Sequence, residues 1–430
     1  MRMIKNILTQ ILITISLFSF GQKEIKFSEI RPPYKSISPT VSELLKIDNG
    51  NLKYQIDLFW KKAQINGLPI IEKDSLYSDY VWITLIHRDS TKNKDVNFEV
   101  FGIYSEYRFG DMKMHRLKNT DLYYRSYMVP NDICFSYRFI VKDTITNEIS
   151  KIVDNYNHSL IPTEEKRDFS YSVLDLSTNN PDWNAKINYN LNSKIDTIEY
   201  KDNIVAKTRN IYIYLPPDYD YNRKKPYPVI YLFDAFIYLN RVEVPNILDN
   251  LITAGKIEPM VAVLFGTYSN TRGILLSINF EFKSEFIKAI VPLVRENYNV
   301  SLNPKENIIG GMSYGGLAAT FIAFYHPDVF GKVLSQSGSF WRDIELSDSY
   351  GNEVRNDWLI NQFIKEERKP IDIFLDWGLQ ENMVLGSNRK IVRILNQKKY
   401  KFDYIEFNGW HDWSNSRKTF PIGLVYLLDE

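Results

Sequence analysis

The sequence predicts two domains: an antiparallel β-sandwich over residues 53–176, and a mostly parallel sheet covered by helices on both faces over residues 191–430. Three observations lead there. At 430 residues the chain is long for a single hydrophobic core. Its first half carries β-branched and aromatic runs at hairpin spacing. Its second half alternates near-continuous apolar strands with helix-like segments, the pattern of a buried parallel sheet.

The N-terminus has the form of a signal peptide over residues 1–21. Arg2 and Lys5 supply a positive start, Ile7 to Phe20 an apolar core, and Ser19-Phe20-Gly21 a small-x-small cleavage site. The apolar run falls short of the roughly 20 residues that span a bilayer, so export to the periplasm or the medium is expected, with no transmembrane segment after cleavage. An N-terminal extension over 22–52 follows. From Lys53 to Leu176 the chain reads as all-β, with strands at Val81 to His87, Asn97 to Tyr104, Leu122 to Val129 and Cys134 to Lys142. Ser177 to Asp182 is rich in turn formers and opens a linker over 177–190.

Beyond it, strands are expected at Ile211 to Leu215, Tyr227 to Phe233, Met260 to Phe265, Asn307 to Ile309, Lys332 to Gln336, Ile371 to Leu375 and Tyr404 to Phe407. Helices are expected at Ser284 to Asn297, Gly316 to His326 and Ser387 to Lys398. The balance of 53 basic and 52 acidic residues gives no charge excess for nucleic-acid binding. A single cysteine, Cys134, rules out an internal disulfide and cysteine-based zinc sites, and reads as a small buried apolar residue.

Chemistry concentrates at Ile309 to Thr320, where four of the chain's 19 glycines surround Ser313. Gly311 to Gly315 fits G-x-S-x-G, the strand-to-helix turn that exposes a strained serine as a nucleophile. Glycine is needed where the flanking backbone passes too close for a side chain. The helix that follows aims backbone N–H groups at a developing oxyanion, Tyr314 supplying one of them. The bland alternative is a glycine turn at a strand–helix junction.

A nucleophilic serine requires a base. Two of the five histidines follow Ser313. His326 stands at a helix end before Pro327, where termination is its expected work. His411 lies in a loop just after the last strand, at the carboxyl edge from which a base can reach the serine. The orienting acid is expected after the strand ending at Asp376, and the residues leave Asp376 and Glu381 both open. Asp412 points away from the histidine if the backbone there is extended.

With these residues in place, the second domain resembles the esterase D-like branch of the α/β-hydrolases, and more narrowly the enterochelin (ferric enterobactin) esterases. The match is carried by Gly310 to Gly316 (G-G-x-S-x-G-G), Gly378 to Glu381 (G-x-x-E) and Gly409 to Trp413 (the late G-G-H-D-W). Phe59-Trp60, Gly67 to Ile70, Trp82 to Arg88, Arg116 to Leu122 and Ser136 to Arg138 resemble that family's N-terminal domain, which implies an immunoglobulin-like sandwich. The resemblance implies Glu381 as the triad acid and the N–H of Phe236 as a second oxyanion donor. It implies a ferric catecholate trilactone as substrate, with Arg272 and Arg417 as candidate contacts to this anion; hydrolysis through an acyl-enzyme on Ser313 needs no metal or organic cofactor. Three positions depart from the family pattern. Leu275 replaces a glutamate, Trp410 the second glycine of G-G-H-D-W, and Ser416 the tryptophan before Arg417. Two other readings are a carbohydrate esterase acting on feruloylated or acetylated oligosaccharide, and a non-catalytic binding protein on a hydrolase scaffold.

Overall fold

The computed structural model describes residues 37–91, 93–102, 112–164, 167–177, 191–343 and 356–429. The expected signal peptide and nearly all of the expected linker lie outside the described residues, as does the end of the strand expected to run to Tyr104.

Two antiparallel sheets make up the N-terminal part. One contains β1 (Ile70–Lys73), β2 (Tyr80–Arg88), β4 (His115–Arg116) and β5 (Leu122–Pro130), in the order β1-β2-β5-β4. The other contains β3 (Lys94–Val100), β6 (Cys134–Asp143), β8 (Leu160–Glu164) and β9 (Arg167–Asp175), in the order β3-β6-β9-β8, with β7 (Ile149–Ile152) paired to β6. Alternate residues of the two sheets face each other in a shared core: Ile83 and Leu85 of β2 meet Val96 and Phe98 of β3 and Phe135, Tyr137 and Phe139 of β6.

One expectation is corrected here. The chain is helical from Asn49 to Asn66, across the position where an all-β domain was expected to begin. Asp48 caps this helix, its carboxylate accepting from the N–H groups of Gly50 (2.9 Å) and Asn51 (3.0 Å). Leu52, Ile56, Trp60 and Ala63 recur at helical spacing and are the buried face. They pack with Val41 and Leu44 of a preceding helix, Pro39–Lys46, on the side of the first sheet that carries Ile86, Leu122 and Tyr124. The Trp60 indole N–H is satisfied by Asp121 at 3.0 Å.

The second part is one eight-stranded sheet. Its strands are β10 (Lys194–Asp202), β11 (Lys207–Leu215), β12 (Val229–Phe233), β13 (Val261–Phe265), β14 (Asn307–Met312), β15 (Lys332–Gln336), β16 (Asp372–Gly378) and β17 (Phe402–Phe407). They run β10-β11-β13-β12-β14-β15-β16-β17. The pairings from β13 through β17 are parallel, and β10 and β11 are antiparallel. β12 to β15 are buried at every position, which explains their continuous apolar character. Separate cores lie on the two faces. The second includes Cys134, Ile161, Tyr171 and Val173 of the N-terminal part, so the two parts share buried surface. Among the described residues no helix is long and apolar enough to cross a membrane.

Cys134 is 2% exposed, and burial pushes its thiol up to about 12. The thiolate is the reactive form. Cys134 is therefore expected to resist a thiol reagent in the native protein and to react at the rate of unfolding in urea, as followed by absorbance of the released chromophore.

Candidate active site

Strand register brings the site together. Met312, Gln336, Asp376 and Ile405 lie in one row across β14, β15, β16 and β17 near their carboxyl ends. Ser313 is the next residue beyond that row on β14. There the chain turns straight into the helix Tyr314–Tyr325. Ser313 has φ 61° and ψ −119°, a left-handed backbone strained for any residue but glycine. The turn is held by two backbone bonds, Ser313 N–H to Gln336 O (2.8 Å) and Ser339 N–H to Ser313 O (3.1 Å). Its tightness explains Gly311, where an added Cβ would lie 2.7 Å from the carbonyl carbon of Gly315. Gly315 is less constrained, since a Cβ there would meet its nearest atoms at 3.6 Å.

The Ser313 hydroxyl lies 3.2 Å from Ser339 Oγ. His411 stands in the loop after β17, and its Nδ1 is 2.6 Å from Glu381 Oε2. Glu381 is 5% exposed. Its other oxygen accepts from Ser337 Oγ (2.7 Å) and from Gly378 N–H (2.7 Å). A carboxylate held this way selects the tautomer with the proton on Nδ1, leaving Nε2 as an acceptor. Of the two carboxyls open in the sequence, Glu381 is the one beside His411. Asp376 turns the other way, accepting from Gln336 Nε2 (3.1 Å) and Ser337 N–H (3.2 Å). Burial raises the Asp376 carboxyl to about 7. Asp412 does have extended backbone and points away from His411, accepting from Ser136 and from Ser414 N–H.

Tyr314 opens the nucleophile helix, and Phe236 lies in the first turn of the helix Ala235–Asn240 after β12. Opening N–H groups of a helix have no carbonyl one turn back, so both elements can present donors to an anion. Asp234, left-handed at φ 62°, makes the turn that carries Phe236.

The structure gives Arg272 and Arg417 holding roles. Arg272 grips Asp234 with two parallel bonds, Nε to Oδ1 (2.8 Å) and Nη2 to Oδ2 (2.7 Å). Its Nη2 also donates to the carbonyl of Met312 at 3.1 Å. It therefore ties the Phe236 turn to the end of β14. Arg417, on the helix Trp413–Leu428, donates from Nε to the carbonyl of Arg241 (2.6 Å) and pairs with Glu243 at 3.4 Å. Sequence reasoning missed Ser337, Ser339 and Asp234. Nothing local marks two serines after a strand as the ones that support a carboxylate and a nucleophile. Among the described residues no group of three or more His, Cys, Asp or Glu side chains is arranged to hold a metal ion.

The eight-stranded sheet with a core on each face has the α/β-hydrolase-like fold of an esterase domain. The model of a family described as "Putative esterase" matches residues 203–427, and the chain belongs to that family. Among curated proteins, it is 26% identical over 239 residues to the iron(III) enterobactin esterase of Escherichia coli strain K12, covering 54% of this chain and 56% of that protein. The chain thus spans little more than half of that relative's length. A match to the iron(III) enterobactin esterase of Dickeya dadantii covers 86% of this chain and 93% of the relative at 20% identity. In fold, the chain is similar to the ferric enterobactin esterase of Salmonella typhimurium. The TM-score is 0.73 at 20% identity, covering 86% of this chain and 98% of that one.

Two expectations follow from the geometry. Arg272→Ala strands the 3%-exposed Asp234 carboxylate without its fork, and unfolding in urea should register a loss of about 3–5 kcal/mol. The second concerns Asp376, whose folded-state pKa burial raises above the ordinary carboxyl value of 3.8. Its contribution is fully present at low pH and is lost as pH rises through about 7, because the folded state holds a proton that the unfolded state releases. Asp376→Asn keeps a neutral group there at every pH. The thermal midpoint of the variant should therefore rise relative to wild type between pH 4 and pH 7.5.

Proposed function

We propose that the protein is an exported serine esterase that opens the ester bonds of a catecholate siderophore trilactone, with Ser313 as nucleophile, His411 as base and Glu381 as the orienting acid. The observation that carries this reading is the His411–Glu381 pair, 2.6 Å long, at the same sheet edge as a serine held at positive φ. This reading requires the Ser313 hydroxyl, 3.2 Å from Ser339 Oγ in the structure, to turn toward Nε2. Nε2 takes the proton as Oγ attacks the ester carbonyl, and Glu381 stabilises the imidazolium that forms. The N–H groups of Tyr314 and Phe236 receive the oxyanion, where loss of a single donor typically costs about 2.7–4 kcal/mol. The protonated histidine then gives its proton to the leaving alcohol. Water, activated by the same nitrogen, releases the acyl group and restores Ser313.

Support for the substrate class comes from the relatives. The Escherichia coli and Dickeya dadantii proteins are named iron(III) enterobactin esterases, and the second match runs along most of both chains. Direct contact of Arg272 and Arg417 with an anionic substrate belongs to this reading, through whatever guanidinium edges their protein partners leave open. The immunoglobulin-like character of the N-terminal domain belongs to it too, supported by two antiparallel sheets sharing one core. Export is supported by Arg2, Lys5 and the apolar run that follows.

The test is product analysis after incubation with ferric enterobactin and, separately, with a feruloylated xylo-oligosaccharide. Linear dihydroxybenzoyl-serine fragments are expected, with kcat reduced by roughly a thousandfold or more in Ser313→Ala. Ferulate release alone would move the substrate to plant polysaccharide. Full activity of Ser313→Ala would overturn the triad.

A further inference from the structure

The loop that carries His411 is gripped from the N-terminal domain at nearly every residue. Asn408 accepts from Cys134 N–H through its carbonyl (3.2 Å), and its side-chain amide donates to Asp132 at 2.7 Å. Gly409 bridges Cys134 in parallel, extending β6 toward the catalytic loop. Trp410 is buried in the core between the two antiparallel sheets, edge-on to Phe135 with ring centroids 5.5 Å apart. Asp412 accepts from both the backbone N–H (2.5 Å) and the hydroxyl (3.0 Å) of Ser136. Behind His411 itself stands Gly102, just past the end of β3. An added Cβ at Gly102 would lie 2.2 Å from the His411 carbonyl oxygen and 3.2 Å from its Cα.

From this we infer that the N-terminal domain supplies the positioning residues of the catalytic histidine: Ser136 clamps the loop through Asp412, and Gly102 forms the wall on which the His411 backbone rests. The inference deepens the serine-esterase reading and depends on His411 being the base. The physical argument is one of tolerance. Hydrogen bonding to Glu381 fixes the ring at one nitrogen only. The distance from Nε2 to Ser313 is then set by where the backbone of residue 411 sits. The Trp410 indole and the Asp412 carboxylate fix that backbone on either side of the histidine. A displacement of about 1 Å at a reacting group can lower turnover a hundredfold. Neither Ser136 nor Gly102 reaches the reacting atoms, so their effect passes through the histidine.

The experiment compares Gly102→Ala, Ser136→Ala, His411→Ala and Gly67→Ala in the full protein, with p-nitrophenyl butyrate as substrate. Gly67 is a control in the same domain. It also has positive φ (79°), and an added Cβ there would meet Tyr156 O at 3.3 Å, with no His411 atom among its nearest neighbours. Gly102→Ala is expected to lower kcat roughly 10–100-fold with KM within about twofold, the signature of a disturbed reacting group. Ser136→Ala, which keeps the backbone bond to Asp412, should lower kcat less. Both should shift or broaden the low-field proton resonance of the His411 Nδ1–H bond, while Gly67→Ala leaves kcat and that resonance as in wild type. Wild-type kcat and resonance in both Gly102→Ala and Ser136→Ala would overturn the inference, as would an equal fall in kcat in Gly67→Ala. Should Gly102→Ala fail to fold, Ser136→Ala decides alone. A fully active His411→Ala would bring down the triad reading itself. An inactive His411→Ala beside fully active Gly102→Ala and Ser136→Ala would bring down only the positioning role.

Discussion

The loop from Asn408 to Asp412 belongs to two hydrophobic cores at once, and the geometry of the site depends on that double membership. Trp410 is a core residue of the N-terminal sandwich. Trp413, three residues later, is buried among the residues that cover one face of the eight-stranded sheet. Between them His411 has Gly102 behind its backbone and Glu381 at its Nδ1. The departure of Trp410 from the family's second glycine therefore has a structural content. A large aromatic side chain at that position anchors the loop in the neighbouring domain, where a glycine would leave it without an apolar anchor.

The turn at Ser313 stores strain that its surroundings must offset. A non-glycine residue in such a backbone conformation costs about 1–3 kcal/mol. At Ser313 the offset comes from the bonds to Gln336 and Ser339 and from Arg272, whose guanidinium reaches the carbonyl of the preceding residue. The same guanidinium holds Asp234, so the strand end and the turn bearing Phe236 are tied together. An arginine suits this place better than a lysine, since its rigid fork can satisfy a carboxylate and a carbonyl together.

Beneath the site lies a buried polar layer. Gln336 accepts from Tyr238 (3.0 Å) and directs its amide toward Asp376, the carbonyl of Ser416 and Thr419. Ser416, where the family carries tryptophan, is 2% exposed and sits against the sulfur of Met312. A small hydroxyl side chain there lets the final helix close onto the nucleophile strand. Such a layer is stable only when its members are paired, which accounts for two neighbouring carboxyls with different work. Asp376 belongs to the layer and Glu381 to the histidine.

The central strands of the eight-stranded sheet, the glycine turn at Ser313 and the place of His411 after the last strand were legible from the residues, because each rests on a local signal: apolar continuity, glycine spacing, order along the chain. The helix Asn49–Asn66 carries its own signal, Leu52, Ile56, Trp60 and Ala63 at helical spacing after Asp48, next to an aromatic, strand-like segment that follows. What only the tertiary structure decided are the long-range pairings. Which of Glu381 and Asp376 stands beside His411 depends on partners from other elements, His411 for the first and Gln336 for the second. The work of Arg272 depends on Asp234, 38 positions away, and the hold on His411 depends on Ser136 and Asp412, 276 positions apart. Periodicity along a chain encodes which face of an element is apolar; which polar group on another element will complete a hydrogen bond is set by packing, and packing exists only once the whole chain has folded.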